Sequence, residues 1–266
     1  MGKFSVLTST LLALILISCT PQVAETPPEM YWPTPPAKPR IKFVDYIAGS
    51  QDVKGQRKDK FSEAVFGSEG ETTMIKPTYV LVRDEVMFVN DVNRIQIYDF
   101  KRKQFYLLRT PQFESLTGIG MASDGTIFVG DSIQREVFVI YPGKKKVGRL
   151  PQPPEGLSTV GGIAVDQNND IVYVVDSRNH RVVVYSTEGE YLKSFGSRGV
   201  EPGRFNFPYD VAVDDEGNWA VLDSGNFRVQ IFSPEGEMIS MFGQVGTLPG
   251  MFARPRGLAF DNDGHI

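Results

Sequence analysis

Three short constellations have the residue types that chemistry needs. Asp176, Asn179 and Arg181 stand in a D-x-x-N-x-R pattern, and Asp223, Asn226 and Arg228 repeat it. Asp91, Asn93 and Arg94 form a contracted version. A fourth copy keeps Asp131 but puts Gln134 in the Asn place and Glu136 in the Arg place. A carboxylate, an amide and a guanidinium can bind a metal, move a proton or tie a turn. Recurrence decides between these. Asp and Asn hydrogen-bond the backbone of their own turn, and Arg clamps carboxylates and carbonyls. One set per repeat is what a scaffold needs, whereas an active site would occur once. Asp131 and the nine residues of the first three sets therefore read as structural, with no catalytic residue, metal or cofactor assigned.

Other candidates are thinner. "DQNND" (166–170), "DDEGN" (214–218) and "DNDGH" (261–265) lack the length and terminal Glu of a calcium loop, and read as hairpin turns. The two histidines, His180 and His265, fall at opposite ends of their units. The single cysteine excludes an intrachain disulfide, and the formal charge of −4 gives no argument for nucleic acid.

The elements that position these turns repeat. Phe195, Gly196, Gly199, Pro202, Gly203, Phe205 and Pro208 recur 47 residues later, as Phe242 through Pro255. Each unit contains four short apolar runs, such as 163–166, 172–176, 181–186 and 191–196. Four strands in a repeat of about 40–50 residues make one blade of a β-propeller. The fold class is all-β. Blades are expected at roughly 76–108, 116–150, 158–196 and 206–243, with a fifth starting at Arg254. Residues 40–49 read as a lone strand suited to closing the ring, which would remove exposed sheet edges. Ending at Ile266, the chain reads as C-terminally truncated by about 80 residues, at roughly 45 per blade.

The FG-x-x-G-x-x-PG-x-F-x-x-P stretch, followed by D-S-x-N-x-R-V, resembles the NHL repeat. The likeness is strong over 158–261 and weaker over 76–150. It implies a propeller of six blades acting as a binding platform. Propeller lyases and lactonases resemble this fold too, so a hydrolase or lyase with a central divalent metal is one alternative. A structural subunit of an envelope complex is another.

The N-terminus reads as an address. Lys3 precedes an apolar run too short to span a membrane comfortably, with the shape of a secretory signal. Leu16-Ile17-Ser18-Cys19 resembles the bacterial lipoprotein lipobox, which implies cleavage before Cys19 and a lipid on it. Residues 20–40 hold seven prolines, a semi-rigid tether. The division expected is 1–19 signal, 20–40 tether and 41–266 propeller. The setting is the bacterial cell envelope, at the outer membrane or periplasmic face rather than the cytoplasm.

Alternating strand direction sorts the loops onto two faces. One collects Asp and Glu; the other collects Arg178, Arg198, Arg204, Arg254 and Arg256, with His180, Phe205 and Phe227 among them. Single-signed surfaces steer opposite charge, and arginine suits bidentate carboxylate contacts. The eight are the candidate binding face, for a protein or an anionic glycan or peptide.

Overall fold

The computed structural model describes residues 31–32, 38, 41–42, 44–53, 73–144 and 146–266. The signal segment with Cys19 lies outside the described residues, as does most of the proline-rich tether. The chain divides into two units, Met1–Ile47 and Ala48–Ile266. In the first, β1 (Tyr31–Trp32) pairs antiparallel with β2 (Ile41–Lys42).

Among its described residues, the second unit contains four antiparallel sheets, each a simple meander of four strands. The first contains β3 (Pro77–Arg83), β4 (Val86–Asp91), β5 (Arg94–Asp99) and β6 (Gln104–Arg109). The second contains β7 (Leu116–Met121), β8 (Ile127–Asp131), β9 (Glu136–Ile140) and β10 (Val147–Arg149). The third contains β11 (Val160–Asp166), β12 (Ile171–Asp176), β13 (Arg181–Ser186) and β14 (Tyr191–Phe195). The fourth contains β15 (Pro208–Val213), β16 (Trp219–Asp223), β17 (Arg228–Phe232) and β18 (Met238–Phe242). These are the four expected blades. The first strands β3, β7, β11 and β15 are mutual neighbours in sequence order, so they line the axis.

Burial explains the strand chemistry. β8 and β16 are buried at every residue, because apolar groups of the segments on either side cover both faces. A strand covered on both faces reads as a continuous apolar run rather than an alternating one, as in "VYVVD" and "WAVLD". One apolar layer lies at each junction. Phe88, Ile95, Leu116 and Val129 join blades one and two, and Val139, Val172, Val174 and Tyr185 join two and three. Tyr173, Phe205, Trp219 and Phe232 join three and four, with the Trp219 ring stacked 4.5 Å from Phe232 and 5.1 Å from Tyr173.

The FG-to-F motif forms the connection between blades. Phe205 donates its amide to the Ser197 carbonyl at 2.9 Å, and Gly199 donates to the Phe205 carbonyl at 3.1 Å. Phe252 repeats the pair with Gln244 and Gly246 at 2.8 and 3.1 Å. In this hook Gly196 has φ +91°, and a Cβ there would stand 2.4 Å from the Phe205 ring, so glycine is required.

One expectation changes. Residues 40–49 do not lie in a blade ladder among the described residues: Ile41–Lys42 pairs with Tyr31–Trp32, and Gly49 bridges Thr73. An apolar strand pattern specifies a buried face but not which partner supplies it. Residues 254–266 place Leu258 and Phe260 against Ala220, Leu222 and Val229 of blade four, without a ladder of their own.

Candidate binding face

Every D-x-x-N-x-R aspartate is buried and saturated. Asp223 Oδ1 accepts the Asn206 amide at 2.7 Å, while Oδ2 accepts Asn226 and Arg228 Nε, both at 2.8 Å, and Gln230 at 3.3 Å. Asp176 accepts the Ser158 and Thr159 amides, Asn179 at 2.8 Å and Arg181 Nε at 3.1 Å. Asp91 accepts the amides of Ile75 and Lys76, plus Arg94 and Gln96. Burial alone would raise its pKa; the Lys76 amide, Arg94 and the other donors outweigh that and hold it below the ordinary 3.8. Asp131 has amide partners only, from Glu114, Ser115, Ile133 and Gln134. In blade two the Gln134 amide goes to Glu114, and Glu136 pairs with Arg149.

Arg181 and Arg228 complete the turns by reaching back to the preceding connection. Arg228 donates to the carbonyls of Val200 at 2.6 Å, Glu201 at 3.1 Å and Arg204 at 2.9 Å. Arg181 donates to Gly156 at 2.7 Å and to Glu155 at 2.5 Å. The aspartate therefore anchors its hairpin to the blade-to-blade loop. Asn93 is the exception: it is half-buried beside Arg109 and Phe113 in a recess of about 320 Å³.

The eight binding-face candidates separate. Phe205 leaves the set: it is wholly buried and packs 6.2 Å from the rings of Phe195 and Phe232. Its polar neighbours disguise a core residue. Arg204 is exposed and 3.7 Å from Glu201. Arg178, Arg198, Arg254 and Arg256 are exposed, and none is in an ion pair among the described residues. His180 sits at a left-handed position, φ 56°, with its ring 4.6 Å from Phe207. Its Nδ1 accepts the Phe207 amide at 3.0 Å. Burial, then Arg198, lowers its pKa, so the ring accepts as neutral imidazole. Phe227 takes the same left-handed position one blade on, φ 56°.

Three candidates meet. Phe227, Arg254 and Arg256 line a recess of about 420 Å³ with Tyr209, Ser224, Ala253 and Pro255. The Ser224 hydroxyl donates to the Pro255 carbonyl at 3.1 Å and fixes one wall. Two guanidinium groups and two aromatic rings around one opening suit an anion with an apolar body.

The acidic turns are as expected. Asp214 accepts the amides of Glu216 and Asn218 at 2.9 and 2.8 Å, and Asp261 those of Asp263 and His265 at 3.0 and 2.8 Å. Asp261, Asp263 and His265 bring their ligand atoms within 4.8 Å on an exposed turn, a spacing this hydrogen bonding accounts for.

One residue pair was missed by the sequence reading. Asp210 is buried on the first strand of blade four, where its carboxylate accepts the Val211 amide at 2.9 Å and the Leu258 amide at 3.1 Å. Burial pushes it up to about 6, against the pull of Leu258, Val211 and Tyr79. Tyr79, from the first strand of blade one, has a buried hydroxyl with no partner in hydrogen-bond geometry. Burial, and then the Asp210 charge, raises its pKa. The signal was available: aspartate stands where the neighbouring blades carry glycine.

Residues 157–185 and 205–232 match the NHL repeat. The matched residues fall on blades three and four. No curated protein sequence matches the chain. Among solved structures, virginiamycin B lyase from Staphylococcus aureus is similar, with TM-score 0.56 and 15% identity, over 71% of this chain and 61% of that one. An auxiliary nutrient binding protein from Bacteroides thetaiotaomicron gives 0.57 and 14%, over 74% and 58%. Hydrazine synthase from Kuenenia stuttgartiensis gives 0.51 and 14%, over 66% and 51%. At these identities the likeness establishes the propeller fold. The chain spans less than two thirds of the length of each.

Proposed function

We propose that this chain is an exported, lipid-anchored NHL propeller that binds a protein or an anionic glycan or peptide through its arginine-bearing loop face, without chemistry of its own. The complete ring has six blades. Cys19 carries the lipid and the proline-rich stretch is the tether. The observation that carries the reading is the recess at Tyr209, Phe227, Arg254 and Arg256. Among the described residues no carboxylate pairs with its cations as Asp176 and Asp223 pair with Arg181 and Arg228, which leaves their donors to a ligand. The similar nutrient binding protein supports a binding role at the level of the fold.

The test is Arg254→Glu with Arg256→Glu in the full chain. Titration calorimetry with trigalacturonate, a small polycarboxylate, should show binding lost in the double variant and retained in Arg204→Glu, whose side chain already neighbours Glu201. Equal affinity in all three proteins would end the reading. Separately, Cys19→Ser should release the protein from the membrane fraction of expressing cells; unchanged sedimentation with membranes would remove the anchor.

A further inference from the structure

The first strand of each blade passes the axis at one equivalent register position. Pro77, Leu116, Val160 and Pro208 each pair with the turn aspartate of their own blade. Two residues further on stand Tyr79, Gly118, Gly162 and Asp210, and after Pro255 comes Gly257. Glycine here lets neighbouring backbones touch. A Cβ on Gly118 would lie 2.3 Å from the Ile163 amide nitrogen, and one on Gly162 would lie 1.9 Å from Asp210 Oδ1 and 2.8 Å from its Cα, so Gly162 also leaves room for that carboxylate. After blade four the junction differs: the Asp210 side chain stands between the strands, and its Oδ2 takes the Leu258 amide at 3.1 Å. Leu258 follows Gly257 as Ile163 follows Gly162, so a carboxylate fills the junction that glycine closes elsewhere.

That junction borders the recess. Tyr209 precedes Asp210, and Arg254 and Arg256 lie just before Leu258. We propose that Asp210 is the positioning residue of the recess: its side chain spaces the 254–258 segment from blade four and fixes it through the Leu258 amide, so that both guanidinium groups border one opening for a carboxylate-bearing ligand. This rests on the binding reading above and adds to it the residue that sets the opening. The groups facing Asp210 are Tyr79 from blade one, Gly162 from blade three, Val211 on its own strand, and Gly257 and the Leu258 amide from the next segment. No cation is among them. An ionised carboxylate accepts the Leu258 amide more strongly than a neutral acid. With burial pushing the Asp210 carboxyl up to about 6, the recess should loosen as pH falls through that value.

The experiment is ¹⁵N NMR of the full chain, with Asp210→Gly, the residue of the adjacent blades, and Asp210→Asn, which keeps the size and removes the ionisation. In the wild type the Leu258 amide should titrate with a midpoint near 6 and the Arg256 resonances should follow it; both variants should lose that midpoint. Trigalacturonate, whose carboxylates stay ionised from pH 7.5 to 5, should bind about tenfold more weakly at pH 5 than at 7.5. In Asp210→Gly the affinity should be low at both. A flat Leu258 amide in the wild type, or a midpoint that survives both substitutions, overturns the proposal. If Arg254→Glu with Arg256→Glu abolishes binding while Asp210→Gly does not change it, the binding face stands and the positioning role falls. If trigalacturonate fails to bind the wild type, the ligand reading falls, and the Leu258 and Arg256 titrations alone decide the role of Asp210.

Discussion

Asp210 and Asp223 are both buried carboxylates of blade four, on adjacent strands, and they live in opposite circumstances. Asp223 gathers an amide, Asn226, Arg228 and Gln230. Asp210 has two backbone amides, the Tyr79 phenol beside it and, among the described residues, no cation. The first recurs in every blade as Asp91, Asp131 and Asp176; the second occurs once. A repeated residue in a propeller meets a repeated need, that of pinning a hairpin to the loop before it. A residue that breaks the repeat has no such need to meet, and here it carries an unbalanced buried charge.

Asp223→Ala should separate the two most strongly. It strands the buried Arg228 guanidinium, and loss of one partner of a buried pair costs about 3–5 kcal/mol, read as a fall in the urea midpoint. Asp210→Asn should act in the other direction at pH 7. Its carboxyl is raised in the folded state, so its contribution is full below the ordinary 3.8 and is lost as pH rises through about 6. Above that, ionisation works against folding by about 3 kcal/mol, and the Asn variant should escape most of it. A pH series of urea melts, compared with the wild type, checks this; parallel curves would remove the argument. Asp91 has the reverse dependence: depressed below 3.8 in the fold, it stabilises above that value and the contribution is lost on acidification. Asp91→Asn should flatten the acid limb.

Asp131→Ala sharpens the comparison within the repeated set. Asp131 has only amide partners, so no buried cation is orphaned, and the loss should be about 1–3 kcal/mol. A loss equal to that of Asp223→Ala would mean that the arginine clamp adds nothing. Smallest of all, Arg254→Glu with Arg256→Glu should move stability by no more than about 0.5 kcal/mol, as for other exposed substitutions. A larger fall would make those arginines part of the scaffold.

The fold was legible because the repeat states its own boundaries. Phe195-Gly196 and Phe242-Gly243 end two blades, and the turn aspartates mark the second strand of each. The turn chemistry was legible for the same reason. Phe205 was misplaced because its neighbours Arg204 and Asn206 look like surface; its recurrence as Phe252, in the same hook, was the better guide. Tyr79 and Asp210 could not be joined from sequence, since only the ring brings the first and fourth blades to one axis. Gly118, Gly162 and Gly257 nevertheless mark Asp210 as the departure.

The most direct test compares Asp210→Gly and Asp223→Gly in urea melts of the full chain at pH 7. Restoring glycine at the axis should leave stability unchanged or higher, whereas removing the turn carboxylate should lower it by about 3–5 kcal/mol. Equal losses at both positions would contradict the division between scaffold and site.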